Sequence, residues 1–117
     1  MSQFILLLHE RTTDFSGMSP EEMQSVIAEY SAWSQQMAEA GNLVGGHKLT
    51  ADNGRRLSGW EGDFSATDGP HAEAKEVIGG LFHINAEDYD SAVELCRSCP
   101  HLKYGGRIEL RQIDLID

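Results

Sequence analysis

The amino-acid sequence predicts an α+β domain in which two helices cover one face of an antiparallel sheet. Two amphipathic segments with helical spacing, at residues 19–41 and 88–99, are separated by segments with strand patterns. The predicted order is strand, helix, strand, hairpin, strand, helix, strand, without a repeat or a linker. This split βαβ order is typical of a ferredoxin-like layer. The 117 residues are expected to form one domain, over residues 1–117.

The first strand and the first helix have clear local signals. Residues 4–8 form a continuous apolar run, typical of a central strand. Ser19 is the expected helix cap, Pro20 fits the first helical position, and Glu22 completes a capping-box pattern. Gly41 is expected to end the helix in the left-handed conformation. The stripe expected to face the core consists of Met23, Val26, Ile27, Tyr30, Trp33 and Met37.

The middle of the chain predicts a strand, a hairpin and another strand. NLVGGHKL is a second strand weakened by its glycine pair, and TADNGRR supplies turn residues. RRLSGW and DFSAT are the expected arms of a hairpin, with Glu61 and Gly62 near its tip. Residues 77–84 form the next expected strand.

The C-terminal part predicts a helix and a final strand. The helix covers about residues 88–99, where Pro100 is expected to stop it, and HLKYGG is expected to be a connector. Its expected inner stripe consists of Tyr89, Ala92, Val93 and Cys96. Residues 107–113 alternate apolar and charged side chains, with Ile108 and Leu110 on one face.

The charge and the composition narrow the classes of partner. The formal net charge of −10 argues against binding to nucleic acid, because a phosphate binder needs a basic surface. It argues against anionic membrane surfaces for the same reason. The N-terminal apolar run lacks the basic start of a signal peptide, and no run approaches a membrane span. With two cysteines in CRSCP, the expected location is the reducing cytoplasm.

The predicted architecture leaves one sheet face without a cover. Two helices can shield only one side, and the other side would expose many apolar and glycine positions to solvent. A second copy of the chain is the simplest cover, which predicts a homodimer with its sheets packed face to face.

Three segments carry a resemblance to a known family. TDGPHAEAKEVIGG, the later CP and the closing GGRIELR resemble the YCII-related family, in its DGPF-type branch. The tetrapeptide here is DGPH, with His71 where the family usually has Phe. The resemblance implies a ferredoxin-like fold assembled as a dimeric α/β barrel. It also implies that some relatives act on small ring compounds derived from aromatics, and that some members are encoded with or fused to sigma factors.

Five charged residues form the main candidate site. Glu109 and Arg111 lie two apart on one strand and therefore share a face. The other members expected near them are Asp68, Lys75 and Glu76. In one interpretation the five residues form a structural network that holds the turn to the last strand, because buried charges must be paired. In the other they bind a small anion or polar substrate, with an arginine clamping a carboxylate and a carboxylate acting as general base.

The histidines, the cysteines and the glycine-rich segments are further candidates. His47 is the favoured proton carrier, with Asp68 as the other, because the strand of His47 should face the same cavity as Arg111. Neither His71 nor His83 has metal-ligand spacing to a second histidine, so no metal site is predicted. The Cys-x-x-Cys pair ends a helix instead of beginning one, which favours core packing over redox chemistry. No glycine-rich segment has phosphate-loop spacing, and no cofactor is expected.

Two functional hypotheses remain open from the sequence. The first is an enzyme without a cofactor that performs acid/base chemistry, such as isomerisation or elimination, on a small polar or ring-derived molecule. Here Arg111 and Lys75 would stabilise developing charge. The second is a non-catalytic dimer that binds a small ligand or regulates a partner such as a transcription factor. Trp60 on the hairpin is a candidate wall of the pocket or of the dimer.

Overall fold

The computed structural model describes residues 1–11, 15, 17–52, 54–68 and 76–116. The strands and helices are β1 Ser2–Arg11, α1 Pro20–Glu39, β2 Leu43–Lys48, β3 Arg55–Ser58, β4 Ser65–Asp68, β5 Glu76–Ala86, α2 Tyr89–Cys96, α3 Pro100–Lys103 and β6 Arg107–Gln112. A single 3-10 turn, Glu61–Asp63, joins β3 to β4. In the described part of the chain, no helix is both long and apolar enough to cross a bilayer.

Four of the strands form one antiparallel sheet with the order β2-β5-β1-β6. The two longest strands, β1 and β5, lie at its centre, and Leu7 pairs with Leu81 in their register. The connections from β1 to β2 and from β5 to β6 each pass through helical segments. This is the split βαβ arrangement that the sequence predicts.

Both long helices pack on the same face of this sheet. Phe4 and Leu6 of β1 and Ile84 of β5 are completely buried. They belong to one core cluster with Trp33 of α1 and Ala92 of α2. Because alternate residues of a strand point to opposite faces, the odd-numbered side chains of β1 lie on the face that the helices do not cover.

The first helix begins as predicted, but its buried stripe is narrower. The Oγ atom of Ser19 accepts a hydrogen bond from the backbone N–H of Glu22 at 3.1 Å, and the Glu22 side chain returns to the Ser19 backbone. Gly41 follows the helix with a φ of 80°. The expectation that Ile27 faces the core is wrong, because its side chain is 58% exposed. The buried residues are Val26, Trp33 and Met37.

The second helix is shorter than predicted, and the segment after it is helical. α2 ends at Cys96, and Pro100 occupies the first turn of α3, where its missing N–H costs nothing. The prediction of a connector at HLKYGG is therefore wrong for its first residues. Val93 is exposed instead of facing the core, whereas the half-exposed Tyr89 packs its ring edge-to-face on the buried Phe4, with the ring centroids 5.0 Å apart. The hydroxyl of Tyr89 accepts a hydrogen bond from the backbone N–H of Gln112 at 2.8 Å, beside the sheet edge.

Strands β3 and β4 form a separate two-stranded sheet, which we call the arm (residues 54–68). Every residue of the arm is exposed. The radius of gyration of the chain is 16.3 Å. A compact domain of this length has a radius of gyration of about 13 Å. The arm therefore extends the molecule beyond the dimensions of its core.

Candidate functional site

The uncovered face of the four-stranded sheet has an apolar centre and a charged side. Ile5, Leu7 and Leu81 lie in its centre and are half-buried in the single chain. On the β6 side, Arg111 pairs in register with Ile5, and Glu109 pairs with Leu7. The alternation of Ile108 and Leu110 with charged residues in β6 is thereby confirmed, because the charged set lies on this face.

His9, Glu109 and Arg111 form a cluster on that face, which we call the β1–β6 cluster. The Nε2 atom of His9 lies 3.1 Å from Oε1 of Glu109. The other carboxylate oxygen of Glu109 lies 3.5 Å from a guanidinium nitrogen of Arg111. Because an ionised carboxylate only accepts hydrogen bonds, Nε2 of His9 carries the proton, and Nδ1 of a neutral ring holds the free lone pair.

A break in strand register positions His9. β1 and β5 shift register between Leu8 and His9, and Gly79 lies opposite the break without a partner in the register. A side chain at Gly79 would collide with the carboxylate of Glu10. A side chain at Gly80 would approach the carbonyl oxygen of His47 to 2.9 Å. The glycine pair thus allows β1, β2 and β5 to meet closely beside His9.

The backbone of His9 is held from the helix side of the sheet by His101 of α3. His101 is only 3% exposed, and its Nε2 atom lies 2.7 Å from the carbonyl oxygen of His9. Its Nδ1 atom lies 3.0 Å from the hydroxyl of Tyr30 in α1. Since a carbonyl only accepts, Nε2–H donates to His9, and the Tyr30 hydroxyl donates to Nδ1. Burial raises the pKa of Tyr30, which keeps that donor protonated.

Glu76 lies next to this cluster and is paired. It forms an ion pair with Arg107 at the start of β6. In the register of the sheet, Glu76 is opposite Arg11 and Arg107 is opposite His9. The ion pair thus connects the start of β5 to the start of β6 across β1. For Glu76, this agrees with the interpretation that the charged residues form a structural network.

His47 and His83 lie on the same face, toward the other edge of the sheet. His47 of β2 pairs in register with Leu81 and is exposed. The Nε2 atom of His83 lies 2.8 Å from Oε1 of Gln3. Because β2 and β6 are opposite edges of four strands, His47 lies about 14 Å from β6 within one chain.

The remaining predicted residues lie elsewhere. Asp68 ends β4 in the arm, where its carboxylate lies 3.2 Å from a guanidinium nitrogen of Arg55. Lys75 and His71 lie outside the described residues. Trp60 is 81% exposed at the arm tip. Of the five charged residues predicted to form a site, the structure therefore brings together Glu109 and Arg111, and it places Glu76 close to them.

A comparison of the chain with protein-family models finds one matching family. The model of the YCII-related domain matches residues 3–115, which is nearly the whole chain. The chain belongs to the YCII-related family. The mixed α+β fold with its antiparallel sheet is consistent with the ferredoxin-like YCII fold. No curated protein shows significant similarity to the chain.

The cysteines of this YCII-related chain lie in its core. Cys96 and Cys99 are free thiols and both are buried. Burial raises the pKa of the Cys96 thiol to about 11, and it also raises the pKa of Cys99. A raised pKa suppresses the thiolate that redox chemistry needs. Across residues 1–11, 15, 17–52, 54–68 and 76–116, no group of three or more His, Cys, Asp or Glu side chains is arranged to hold a metal ion.

Sequence reasoning missed two residues of this YCII-related site. His9 lies one residue beyond the predicted first strand, although it continues the alternation of Ile5 and Leu7. Extending that strand to residue 9 would have placed His9 on the face of Glu109. His101 carried no local signal, because its partners Tyr30 and the His9 carbonyl are 71 and 92 residues away in the chain.

Proposed function

We propose that the chain is a homodimer whose uncovered sheet faces pack against each other and enclose a site for a small anionic molecule. At this site it catalyses acid/base chemistry, such as isomerisation or elimination, on a polar or ring-derived substrate. The observation that supports this most directly is the β1–β6 cluster, in which a histidine, a carboxylate and an arginine lie within hydrogen-bonding or ion-pair distance. We also assign the chain to the DGPF-type branch, on the DGPH sequence at residues 68–71, and to the cytoplasm.

The dimer is supported by the composition of the uncovered face. Its apolar centre of Ile5, Leu7 and Leu81 is the kind of surface that a partner sheet covers. A dimeric α/β barrel of this kind joins two such faces about a two-fold axis. In the proposed arrangement this axis runs along the strands, so that the β2 edge of each copy lies over the β6 edge of the other.

This arrangement gathers the predicted residues that a single chain keeps apart. His47 of the second copy lies over Glu109 and Arg111 of the first, since β2 and β6 are the two edges of the sheet. Two equivalent sites follow, each with His9, Glu109 and Arg111 from one copy and His47 from the other. Glu76 stays in its ion pair beside the site, and Asp68 and Lys75 remain predicted members.

The chemistry follows from the hydrogen bonds of His9. The carboxylate of Glu109 accepts a hydrogen bond from Nε2–H of His9, which orients the ring and stabilises the imidazolium form. Nδ1 then removes a proton from a carbon next to a carbonyl, and the electron pair moves to the carbonyl oxygen. Arg111 stabilises the resulting oxyanion. The imidazolium, or His47 of the second copy, returns a proton at another position or to a leaving group, which completes an isomerisation or an elimination.

A second candidate function is a regulatory dimer that binds a small ligand and acts on a transcription factor such as a sigma factor. The observation that favours it is the pairing of Glu76 with Arg107, which consumes charges beside the site. In this case the same anions bind, but no proton is moved. The two functions are therefore separated by turnover and not by binding.

The dimer is tested by placing a charge in the centre of the face. Light scattering at micromolar concentration should give twice the chain mass of 12.9 kDa. Leu7→Lys should give a single chain, because an unpaired ammonium in a dry interface is strongly unfavourable. Ile27→Lys, on the exposed side of α1, is the matched control and should stay a dimer. A native chain that scatters as a monomer would overturn the dimer and the enclosed site.

The site is tested with benzoate as the ligand and phenylpyruvate as the substrate. At about one hundred times its dissociation constant, benzoate should raise the melting temperature by at least about 5 °C. Arg111→Gln should abolish the shift, and Arg56→Gln in the arm should keep it. Tautomerisation of phenylpyruvate, followed by ultraviolet absorbance, should be accelerated by the native chain but not by His9→Asn. Binding without acceleration would favour the regulatory function, and an unchanged shift in Arg111→Gln would remove the anion site.

A further inference from the structure

The arm has one apolar face that nothing in the described chain covers. In the register of β3 and β4, Leu57 pairs with Ala66, and Phe64 continues that face two residues earlier, while the Arg55–Asp68 ion pair lies on it at the base of the arm. The opposite face is polar and consists of Arg56, Ser58, Ser65 and Thr67. Leu57, Phe64 and Trp60 are all largely exposed. An isolated two-stranded ribbon is marginally stable in water, so an ordered arm with this pattern needs a surface to pack on.

The same chain carries an uncovered apolar groove of suitable size. It lies between α2, α3 and β6, and we call it the α2–β6 groove. Its volume is about 330 Å³. Its lining residues are Val93, Cys96, Arg97, Leu102, Ile108 and Leu110. Val93 and Leu102 are exposed at its walls, while Ile108 and Leu110 form a half-buried floor. This volume lies at the lower end of the range of about 300 to 1,000 Å³ that is typical of binding pockets in proteins.

We propose that the arm of each copy packs into the α2–β6 groove of a second copy, with Trp60 as the anchor. This inference rests on the proposed dimer. With the two-fold axis along the strands, the end of β2 from which the arm departs lies over the end of β6 that begins at Arg107. The groove lies beside that end, because it contains Ile108 and Leu102.

The dimensions of the two surfaces fit this arrangement. Two packed sheets are about 10 Å apart, and the six residues from Arg55 to Trp60 span about 20 Å when extended, which is enough to pass around the β6 edge. Glu61 and Asp63 flank the arm tip, and Arg97 lies on the wall of the groove. Arg97 is itself paired with Glu94 at 2.9 Å, so the tip meets an ion pair on that wall and not a free cation.

The contact is tested by linking two chains that carry different cysteines. Gly62→Cys is tolerated at the tip because a side chain there meets open space. A mixture of Gly62→Cys chains and Arg97→Cys chains should form a covalent dimer under mild oxidation. Peptide mapping should place the link at position 97. Ala32→Cys on the exposed side of α1 replaces Arg97→Cys in the control mixture, which should give no such link.

Fluorescence quenching gives an independent readout on chains without added cysteines. Trp33 is buried, so Trp60 is the tryptophan that acrylamide can reach in a single chain. In the native dimer acrylamide should quench the fluorescence of Trp60 less than in a single chain. Leu102→Asp in the groove should restore the stronger quenching, and Leu115→Asp outside the groove should not. Trp60→Ala should raise the dimer dissociation constant about tenfold or more, since a buried tryptophan is often a dominant contact.

Light scattering on the same samples separates the possible failures. A single chain at micromolar concentration overturns both the dimer and the arm contact. A second outcome is a dimer that forms no cross-link and in which acrylamide still quenches Trp60 as strongly as in a single chain. This outcome overturns the arm contact alone and is compatible with the face-to-face dimer. A link that forms only within one chain, in the double variant Gly62→Cys/Arg97→Cys, also overturns it, because the arm then covers its own groove.

Discussion

At the residue scale, the site depends on hydrogen bonds that connect the helix layer to the uncovered face. The backbone carbonyl of His9 accepts from His101 on one side of the sheet, while its imidazole contacts Glu109 on the other. His101 is buried, and both of its ring nitrogens have partners. Gly106 leaves the space that the ring of His101 occupies, since a side chain there would collide with it. His101 is thus a positioning residue for His9.

We predict that the pair of Tyr30 and His101 contributes to stability as a coupled unit. Tyr30→Phe removes one hydrogen bond and should lower the free energy of unfolding by about 1 kcal/mol. His101→Phe leaves the His9 carbonyl and the Tyr30 hydroxyl without that partner, and it should cost about 2 to 4 kcal/mol. The double variant should lower the free energy of unfolding by less than the sum of the two single changes, because both single changes remove the same hydrogen bond between Tyr30 and His101. Urea unfolding measures all three. Strict additivity would show that the two residues do not act through this contact.

At the element scale, the sequence predicted the elements that have local signals. Ser19, Pro20 and Glu22 are enough to predict the start of α1, and six consecutive residues are enough to predict the alternation of β6. Prediction from the sequence failed where contacts between distant residues determine the end of an element or the burial of a side chain. α2 ends early because Pro100 begins a new short helix instead of only stopping the first. Ile27 has the spacing of a core residue, yet its side chain is largely exposed, and only the three-dimensional arrangement shows that.

We predict that the capping box makes a measurable contribution to folding. Ser19→Ala removes the acceptor for the backbone N–H of Glu22 and should lower the free energy of unfolding by about 1 kcal/mol. Ser25→Ala is the matched control within the same helix. Within the described part of the chain its hydroxyl bonds to the Glu21 carbonyl alone, so that change should be neutral or slightly stabilising. Chemical unfolding monitored by circular dichroism compares the two. Equal effects would mean that α1 does not depend on its cap.

At the scale of the whole molecule, charge is distributed unevenly. The strands of the uncovered face carry Arg11, Arg107 and Arg111 against Glu76 and Glu109 in the register of the sheet. This face is therefore close to neutral, while the chain as a whole has a net charge of −10. Sequence alone predicted Glu109 and Arg111 because they share one strand. It did not predict His9, because the partnership of His9 with Glu109 joins residues 100 positions apart.

This uneven charge predicts how the proposed dimer responds to salt. The two chains repel each other through their acidic surfaces, and the near-neutral face adds little attraction to offset this repulsion. Added salt shortens the screening length from about 30 Å at 0.01 M to about 10 Å at 0.1 M, which weakens the long-range repulsion more than the contacts at close range. The dissociation constant should therefore fall as sodium chloride rises over this range. Analytical ultracentrifugation at both concentrations measures it. A dimer that weakens with salt would instead be held by ion pairs across the interface, and the apolar centre of Ile5, Leu7 and Leu81 would not be its main contact.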